Sequence, residues 1–154
     1  MLSTLHTNDA PGAVARLIEM GVEPFLVASA VDCVVAQRLA RRLCDKCKEP
    51  YQPTEAELVG VGWPGEDLRQ GEWPTLHRAI GCPSCGRTGY RGRFAIHEAM
   101  VVSEEIERLI IESRSTEDIQ KTAVMQGMLT LREDGLRKAA MGQTSLEEIF
   151  RVVA

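Results

Sequence analysis

Apolar side chains recur at three- and four-residue intervals over most of this chain, a pattern that predicts amphipathic helices. Asp9 can cap a first helix that has Pro11 in its first turn. Val14 and Leu17 then fall on one face before Gly21 ends the helix. The residues ahead of this helix are predicted to form a short strand or loop.

A second amphipathic helix is predicted to begin at Glu23 and Pro24 and to end in a basic run that includes Arg38, Arg41 and Arg42. Its apolar positions keep the helical spacing: Phe25, Ala28, Val31, Val35 and Leu39. On this prediction Cys33 lies within the helix as a small buried hydrophobic residue. The two helices form the first packing unit, residues 1–43.

The helical period is lost between residues 44 and 102, where glycine and proline become frequent. Residues 51–81 are predicted to be mostly loop, apart from one short helix after Thr54, and a strand segment is predicted from Phe94 to residue 102. The helical period returns at residues 103–154. The N-caps predicted there are Ser103, Ser115 or Thr116, Thr130, and Ser145 of a Ser-x-x-Glu capping box.

These elements predict an α+β fold that is mostly α. A two-helix unit spans residues 1–43, an insert with short strands spans 44–102, and a small helical bundle spans 103–154. The composition is that of a packed globular protein, with 44% hydrophobic and 26% charged residues. The longest apolar stretch, residues 25–36, is too short for a membrane-spanning helix, so none is predicted.

Four of the five cysteines form two Cys-x-x-Cys pairs: Cys44, Cys47, Cys82 and Cys85. Two residues between thiols allow a turn to direct both sulfurs at one ion, and two such pairs supply the four thiolates of a tetrahedral zinc site. Because four thiolates leave no open coordination position, we predict a structural zinc ion in a ribbon-like insert. The alternatives are redox-active or free thiols, and iron or an iron–sulfur cluster.

Charge and aromatic content bear on the class of partner. The chain has a formal net charge of −4 and only 5% aromatic residues, so it has no overall attraction to nucleic acid and few rings for base stacking. We therefore expect no nucleic-acid partner. Basic residues at 38–48 and 87–93 nevertheless leave one alternative, a stand-alone zinc-ribbon nucleic-acid-binding protein. A structural helical adaptor is another.

Three segments of the chain resemble the C-terminal part of the ATPases that power type II secretion and type IV pilus assembly. They are LSTLHTNDAPGAVARLIEMGVEPFLVASAVDCVVAQRLARRLCDKCKEPY, GCPSCGRTGYRGRFAIHE and GMLTLREDGLRKAAMGQTSLEEI. The resemblance implies a fragment of a RecA-like P-loop ATPase. It further implies a cytoplasmic hexameric motor, peripheral to the inner membrane, whose partners are the other ring subunits and an inner-membrane platform protein.

The resemblance also implies roles for individual residues. The segment STLHTN corresponds to the histidine box of the family, so His6 is the expected catalytic residue near the terminal phosphate, with Thr4 and Thr7 beside it. Arg38 and Arg41 share one face of the predicted second helix, where an arginine can contact nucleotide or a neighbouring subunit. The alternative for these arginines is a solvated helix end whose positive charge suits the helix dipole.

The phosphate-binding loop of such ATPases is missing from this chain. None of the 13 glycines is followed by lysine, so the pattern Gly-x-x-x-x-Gly-Lys-[Ser/Thr] is absent. Only five residues precede His6, which leaves no acidic strand end to hold magnesium. We therefore predict that this polypeptide alone does not hydrolyse ATP, and that ATP and Mg²⁺ are cofactors of the full-length parent only.

Overall fold

The structure is a computed structural model that describes residues 1–63 and 73–153. The chain divides by packing into two units that each combine segments distant in the sequence: Met1–Gln37 with His97–Leu131 in the first, and Arg38–Ile96 with Arg132–Ala154 in the second. The predicted segments 1–43, 44–102 and 103–154 describe organisation along the chain, and they stay a prediction.

The described residues form a mixed α/β structure. The helices are α1 (Ala10–Glu19), α2 (Pro24–Ala30), α3 (Glu55–Gly60), α4 (Glu104–Ile111), α5 (Thr116–Met125), α6 (Leu131–Ala140) and α7 (Leu146–Val153). The strands are β1 (Cys33–Leu43), β2 (Lys48–Tyr51), β3 (Leu76–Ala79) and β4 (Tyr90–Val101). Strand β1 pairs with β4, and β2 pairs antiparallel with β3, in two separate two-stranded sheets.

The core of the first unit is formed by α1, α2, α4 and α5 together with the end of β4. Its buried members are Ala10, Val14, Val27, Ala28, Met100, Val102, Ile106, Ile110, Ile119, Ala123 and Met128. The Asp9 side chain accepts a hydrogen bond from the Gly12 N–H at 2.7 Å, as the predicted N-cap of α1 should. In the described part of the chain, no helix combines the length and apolar character needed to cross a membrane.

A buried glutamate on β4 satisfies two backbone groups in the first unit. Glu98 is only 2% exposed, and its Oε1 accepts a hydrogen bond from the Ala10 N–H at 2.7 Å. Its Oε2 accepts one from the Leu131 N–H at 3.2 Å. Both N–H groups belong to first residues of helices and have no partner within their own helix, so one carboxylate caps two helix starts.

The core of the second unit is formed by α3, β3, α6, α7 and the residues that follow α3. Its buried members are Leu58, Val61, Trp63, Leu76, Leu136, Ala139 and Leu146. Helices α6 and α7 approach closely at Gly135, where an added Cβ would lie 2.9 Å from Cδ1 of Ile149. A glycine inside α6 therefore has a packing reason that offsets its poor helix propensity.

The predicted second helix is wrong beyond Ala30, where α2 ends and the chain becomes extended at Val31. Strand β1 follows, and its residues alternate between exposed and half-buried from Cys33 to Leu39. The β-branched residues in this stretch favour a strand, and pairing with β4 overrides a spacing that also fits a helix. Cys33 is exposed, so the prediction that it is buried is wrong as well.

Most predicted helix starts are confirmed. Thr54 and Glu57 form a reciprocal capping box at α3, and Ser103 and Ser115 cap α4 and α5. The predicted strand after the second cysteine pair is β4. Part of the predicted loop at 51–81 is instead the β2–β3 sheet, and residues 64–72 of that loop lie outside the described residues.

Candidate metal centre

The first cysteine turn, residues 44–47, follows directly on β1. The Cys44 carbonyl accepts hydrogen bonds from the N–H groups of Cys47 at 3.1 Å and Lys48 at 2.9 Å, which closes the turn and starts β2. Asp45 forms an ion pair with Lys48 at 2.7 Å across the same turn. This local bonding brings the two thiols of the pair to one side of a tight turn.

The second cysteine turn, residues 82–85, is a 3₁₀ turn that begins with Pro83. The Cys82 carbonyl accepts a hydrogen bond from the Arg87 N–H at 2.9 Å. The chain returns so closely that a Cβ at Gly81 would lie 2.5 Å from the Arg87 carbonyl oxygen, and Gly81 has a φ of +104°. A glycine is therefore required immediately before the second cysteine pair.

The two turns bring all four predicted cysteines together, with their sulfur atoms within 4.8 Å of one another. The Cys44 and Cys82 sulfurs are 4.0 Å apart and the Cys47 and Cys85 sulfurs are 3.9 Å apart. Sulfurs bound at about 2.3 Å around one tetrahedral zinc ion lie about 3.8 Å from each other. These residues could therefore hold a metal ion, and their spacing fits four-coordinate zinc.

One thiol of the cluster, that of Cys85, has a lowered pKa. Backbone hydrogen bonds to its sulfur, from Cys82 N–H first and Gly89 N–H second, lower the pKa of Cys85 to about 6. Desolvation raises the pKa of Cys47 to about 12, and contacts with the neighbouring thiols add to that rise. A cation at the centre would favour all four thiolates, so metal binding should release protons.

Neither His77 nor His97 belongs to the sulfur cluster. His77 lies on β3 and His97 lies on β4. Cys33 begins β1 and is also outside the cluster. Within the described residues, the candidate ligands are therefore the four cysteines of the two Cys-x-x-Cys pairs.

A buried carboxylate that no sequence motif assigns to this centre bonds Arg41, three residues before Cys44. Glu148 is fully buried, and its Oε1 accepts a hydrogen bond from the Arg41 N–H at 2.8 Å. The Glu148 N–H does bond Ser145 Oγ, as a capping box predicts, but the Glu148 carboxylate binds Arg41 and Arg151. No local sequence signal pairs Arg41 with a residue 107 positions away.

The predicted arginine pair lies on a strand and not on a helix. Because side chains alternate along a strand, Arg38 and Arg41 point to opposite faces of β1. The prediction that they share one face of a helix is therefore wrong. The Arg41 guanidinium binds Glu148 at 2.6 Å and lies 4.1 Å from the centre of the Tyr90 ring. A role for either arginine toward nucleotide or a neighbouring subunit stays a prediction.

The predicted histidine box precedes α1. His6 and Thr4 are exposed, and the Thr7 hydroxyl donates a hydrogen bond to the Asp9 carbonyl at 3.0 Å. That bond ties the segment to the N-cap of α1. The catalytic role of His6 stays a prediction.

Comparison with known proteins decides the family. The family model described as "Type II/IV secretion system protein" matches residues 1–151. This chain belongs to that family.

Among its relatives, the type IV pilus assembly ATPase PilB of Thermus thermophilus is 46% identical over 150 residues, which cover 97% of this chain and 16% of PilB. The type II secretion system protein HxcR of Pseudomonas aeruginosa is 48% identical over 99% of this chain and 28% of HxcR. The type II secretion system ATPase E of Vibrio cholerae is 44% identical over 99% of this chain and 29% of its own length. The chain thus spans less than a third of each of these relatives.

Proposed function

We propose that this chain is the C-terminal portion of a motor ATPase that drives type II protein secretion or type IV pilus assembly. The observation that carries the proposal is 44–48% identity over 97–99% of the chain to proteins named as secretion and pilus assembly ATPases. The parent would be a RecA-like P-loop ATPase that binds ATP and Mg²⁺. This chain would supply one wall of the nucleotide site and a metal-stabilised arm.

In that arm, Cys44, Cys47, Cys82 and Cys85 would hold a structural zinc ion. The sulfur spacing and the turns that create it support this assignment. Binding of structural zinc contributes roughly 10–16 kcal/mol in small metal-folded domains. Such an ion would fix the cysteine turns, which have few buried apolar residues of their own.

In the nucleotide site, His6 would act near the terminal phosphate with Thr4 and Thr7 beside it. Phosphoryl transfer is catalysed mainly by positioning and by stabilising charge, and a histidine side chain can provide a hydrogen bond for that purpose. Arg38 and Arg41 are the arginine candidates for contact with nucleotide or a neighbouring subunit, and the Arg41 guanidinium also binds Glu148.

The proposed motor is a cytoplasmic hexamer that acts at the inner membrane through a platform protein, without nucleic acid as a partner. Two observations disfavour the nucleic-acid alternative for this chain. The Tyr90 ring is covered by Arg41 at 4.1 Å, and Arg42 lies over Phe94 at 5.5 Å. An arginine that lies over a ring occupies a face that base stacking would otherwise use.

A chimeric ATPase tests the proposal. We would replace the matching 150 residues of the Thermus thermophilus PilB ATPase with this chain and measure phosphate release. We expect the chimera to hydrolyse ATP and this chain alone to show no turnover. His6→Gln in the chimera should lower kcat about 100-fold through lost transition-state stabilisation.

The control variant is His97→Gln, because His97 is also exposed but lies on β4. That substitution should leave kcat within about twofold. An inactive but folded hexameric chimera, or equal losses in both histidine variants, would contradict the proposal. ATP turnover by this chain alone would contradict the expectation that the phosphate-binding loop must come from elsewhere.

A further inference from the structure

Glu148 accepts several hydrogen bonds from arginines in the unit that also contains the four cysteines. It lies in the first turn of α7 with a fully buried side chain. Besides the Arg41 N–H, it accepts hydrogen bonds from Arg41 Nε at 2.9 Å and Nη2 at 2.6 Å, and from Arg151 Nε at 2.8 Å. One carboxylate therefore holds both the backbone and the side chain of Arg41, three residues before Cys44.

The turn between α6 and α7, residues 141–145, also bonds the chain around the first cysteine pair. The Leu43 N–H donates to the Gln143 carbonyl at 2.9 Å, and Thr144 Oγ1 donates to the Arg41 carbonyl at 2.9 Å. Beyond the cysteine turn, Lys48 Nζ donates to the Gly142 carbonyl at 3.1 Å. The first cysteine turn is thus held on both of its flanks.

A further contact reaches the second cysteine turn. The Tyr90 hydroxyl and Ser145 Oγ form a hydrogen bond of 2.7 Å. The preceding residue, Gly89, donates its N–H to Cys85 Sγ at 3.3 Å, and its carbonyl accepts the Cys44 N–H at 2.9 Å. The start of α7 therefore contacts the chain on both sides of the sulfur cluster.

We infer that Glu148 is a positioning residue for the tetracysteine centre, because it holds through Arg41 the strand end that carries Cys44. The inference rests on the proposed metal binding. Outer-shell groups that fix the ligand-bearing chain raise metal affinity, because less chain must be ordered when the metal binds. Loss of the Glu148 charge should weaken its hydrogen bonds to Arg41. Metal binding should then weaken although the four ligands are unchanged.

The matched control is Glu98→Gln in the first unit. Glu98 is also a buried glutamate that accepts backbone N–H groups, but it lies in the first packing unit, whereas the cysteines lie in the second. Glu98 bonds Ala10 and Leu131 and none of the residues 41–48 around the first cysteine pair, so its substitution should cost folding stability while the bonds to that segment stay in place. The pair of variants therefore separates a specific effect on the centre from a general loss of stability.

The experiment is zinc competition with a chromophoric chelator on the full chain, with Co²⁺ absorption as the spectroscopic measure of tetrahedral thiolate ligation. We expect Glu148→Gln to lower the zinc affinity at least about tenfold while saturating Co²⁺ still gives the wild-type spectrum. Glu98→Gln should stay within about twofold of wild type. Arg41→Gln should weaken binding as Glu148→Gln does, and it serves as the second variant if Glu148→Gln does not fold.

The zinc-binding measurements separate a failure of the positioning role of Glu148 from a failure of the proposed metal centre. If the wild type binds zinc and the folded Glu148→Gln or Arg41→Gln variants bind it equally tightly, the positioning role is wrong. The same holds if Glu98→Gln loses as much affinity. If the wild type binds neither Zn²⁺ nor Co²⁺, the metal centre itself is wrong, and the positioning role falls with it.

Discussion

At the scale of single residues, the Glu148 carboxylate has a lowered pKa although its side chain is fully buried. Burial raises the pKa of Glu148, but hydrogen bonds from Arg151 and Arg41 outweigh it and lower the pKa to about 2, below the ordinary 4.5. A group whose pKa is lowered by folding stabilises the folded state above its ordinary pKa. That stabilisation is lost as the pH falls toward the folded value.

We therefore predict that Glu148→Gln removes an acid-sensitive part of the stability. Between pH 5 and pH 2, the free energy of unfolding of the wild type should fall by on the order of 3 kcal/mol more than that of the variant. The measurement is urea unfolding followed by tryptophan fluorescence, with a chelator present throughout so that metal release does not contribute. Trp63 and Trp73 are the two tryptophans of the chain, and both lie in the second unit with Glu148. Parallel pH profiles for the two proteins would contradict the prediction.

Residues differ in how well the sequence predicts their role. The spacing within each Cys-x-x-Cys pair is local, so Cys44, Cys47, Cys82 and Cys85 were identifiable as one ligand set. The two buried glutamates were not identifiable, because Glu98 bonds Ala10, 88 positions away, and Glu148 bonds Arg41, 107 positions away. Local patterns carry no information about such distant partners.

At the scale of elements, local signals predict helix starts well and fail for β1. A capping side chain bonds an N–H two or three residues away, so Ser103 and Ser115 mark α4 and α5 from sequence alone. The spacing of Val31, Val35 and Leu39 fits a helix, but the strand is decided by pairing with β4, about 50 residues further along. Such nonlocal pairing is not encoded in a local period.

The packing of α6 on α7 leads to a prediction at Gly135. Alanine is the better helix former by roughly 1 kcal/mol, but its Cβ would lie 2.9 Å from Cδ1 and 3.0 Å from Cγ2 of the buried Ile149. We expect the cost of overpacking to exceed the gain in helix propensity. Gly135→Ala should therefore lower the free energy of unfolding of the second unit by about 1 kcal/mol.

A double-mutant cycle with Ile149→Val provides the control, because valine lacks the Cδ1 atom that makes the shortest contact. Gly135→Ala should cost less in the Ile149→Val background than in the wild type, as measured by urea unfolding with tryptophan fluorescence. Additive effects of the two substitutions would show that the contact between α6 and α7 does not decide the preference for glycine.

At the scale of the whole molecule, the net charge of −4 is the sum of a negative formal charge on the first packing unit and a positive one on the second. The first unit has 4 Lys and Arg against 11 Asp and Glu, a formal charge of −7. The second has 14 against 11, a formal charge of +3. The cationic residues thus lie mainly in the unit that contains the cysteines, whose four thiolates around one zinc ion would carry a net negative charge.

The metal centre is the central claim about this molecule, and metal analysis of the purified chain tests it most directly. Protein prepared without chelator should contain about one zinc ion per chain and should give a tetrahedral thiolate spectrum with Co²⁺. Cys44→Ser should lose the metal. Cys33→Ser should keep it, because Cys33 is exposed on β1 and outside the sulfur cluster. Less than about half an equivalent of zinc in the wild type, or equal zinc content in the two serine variants, would contradict the account.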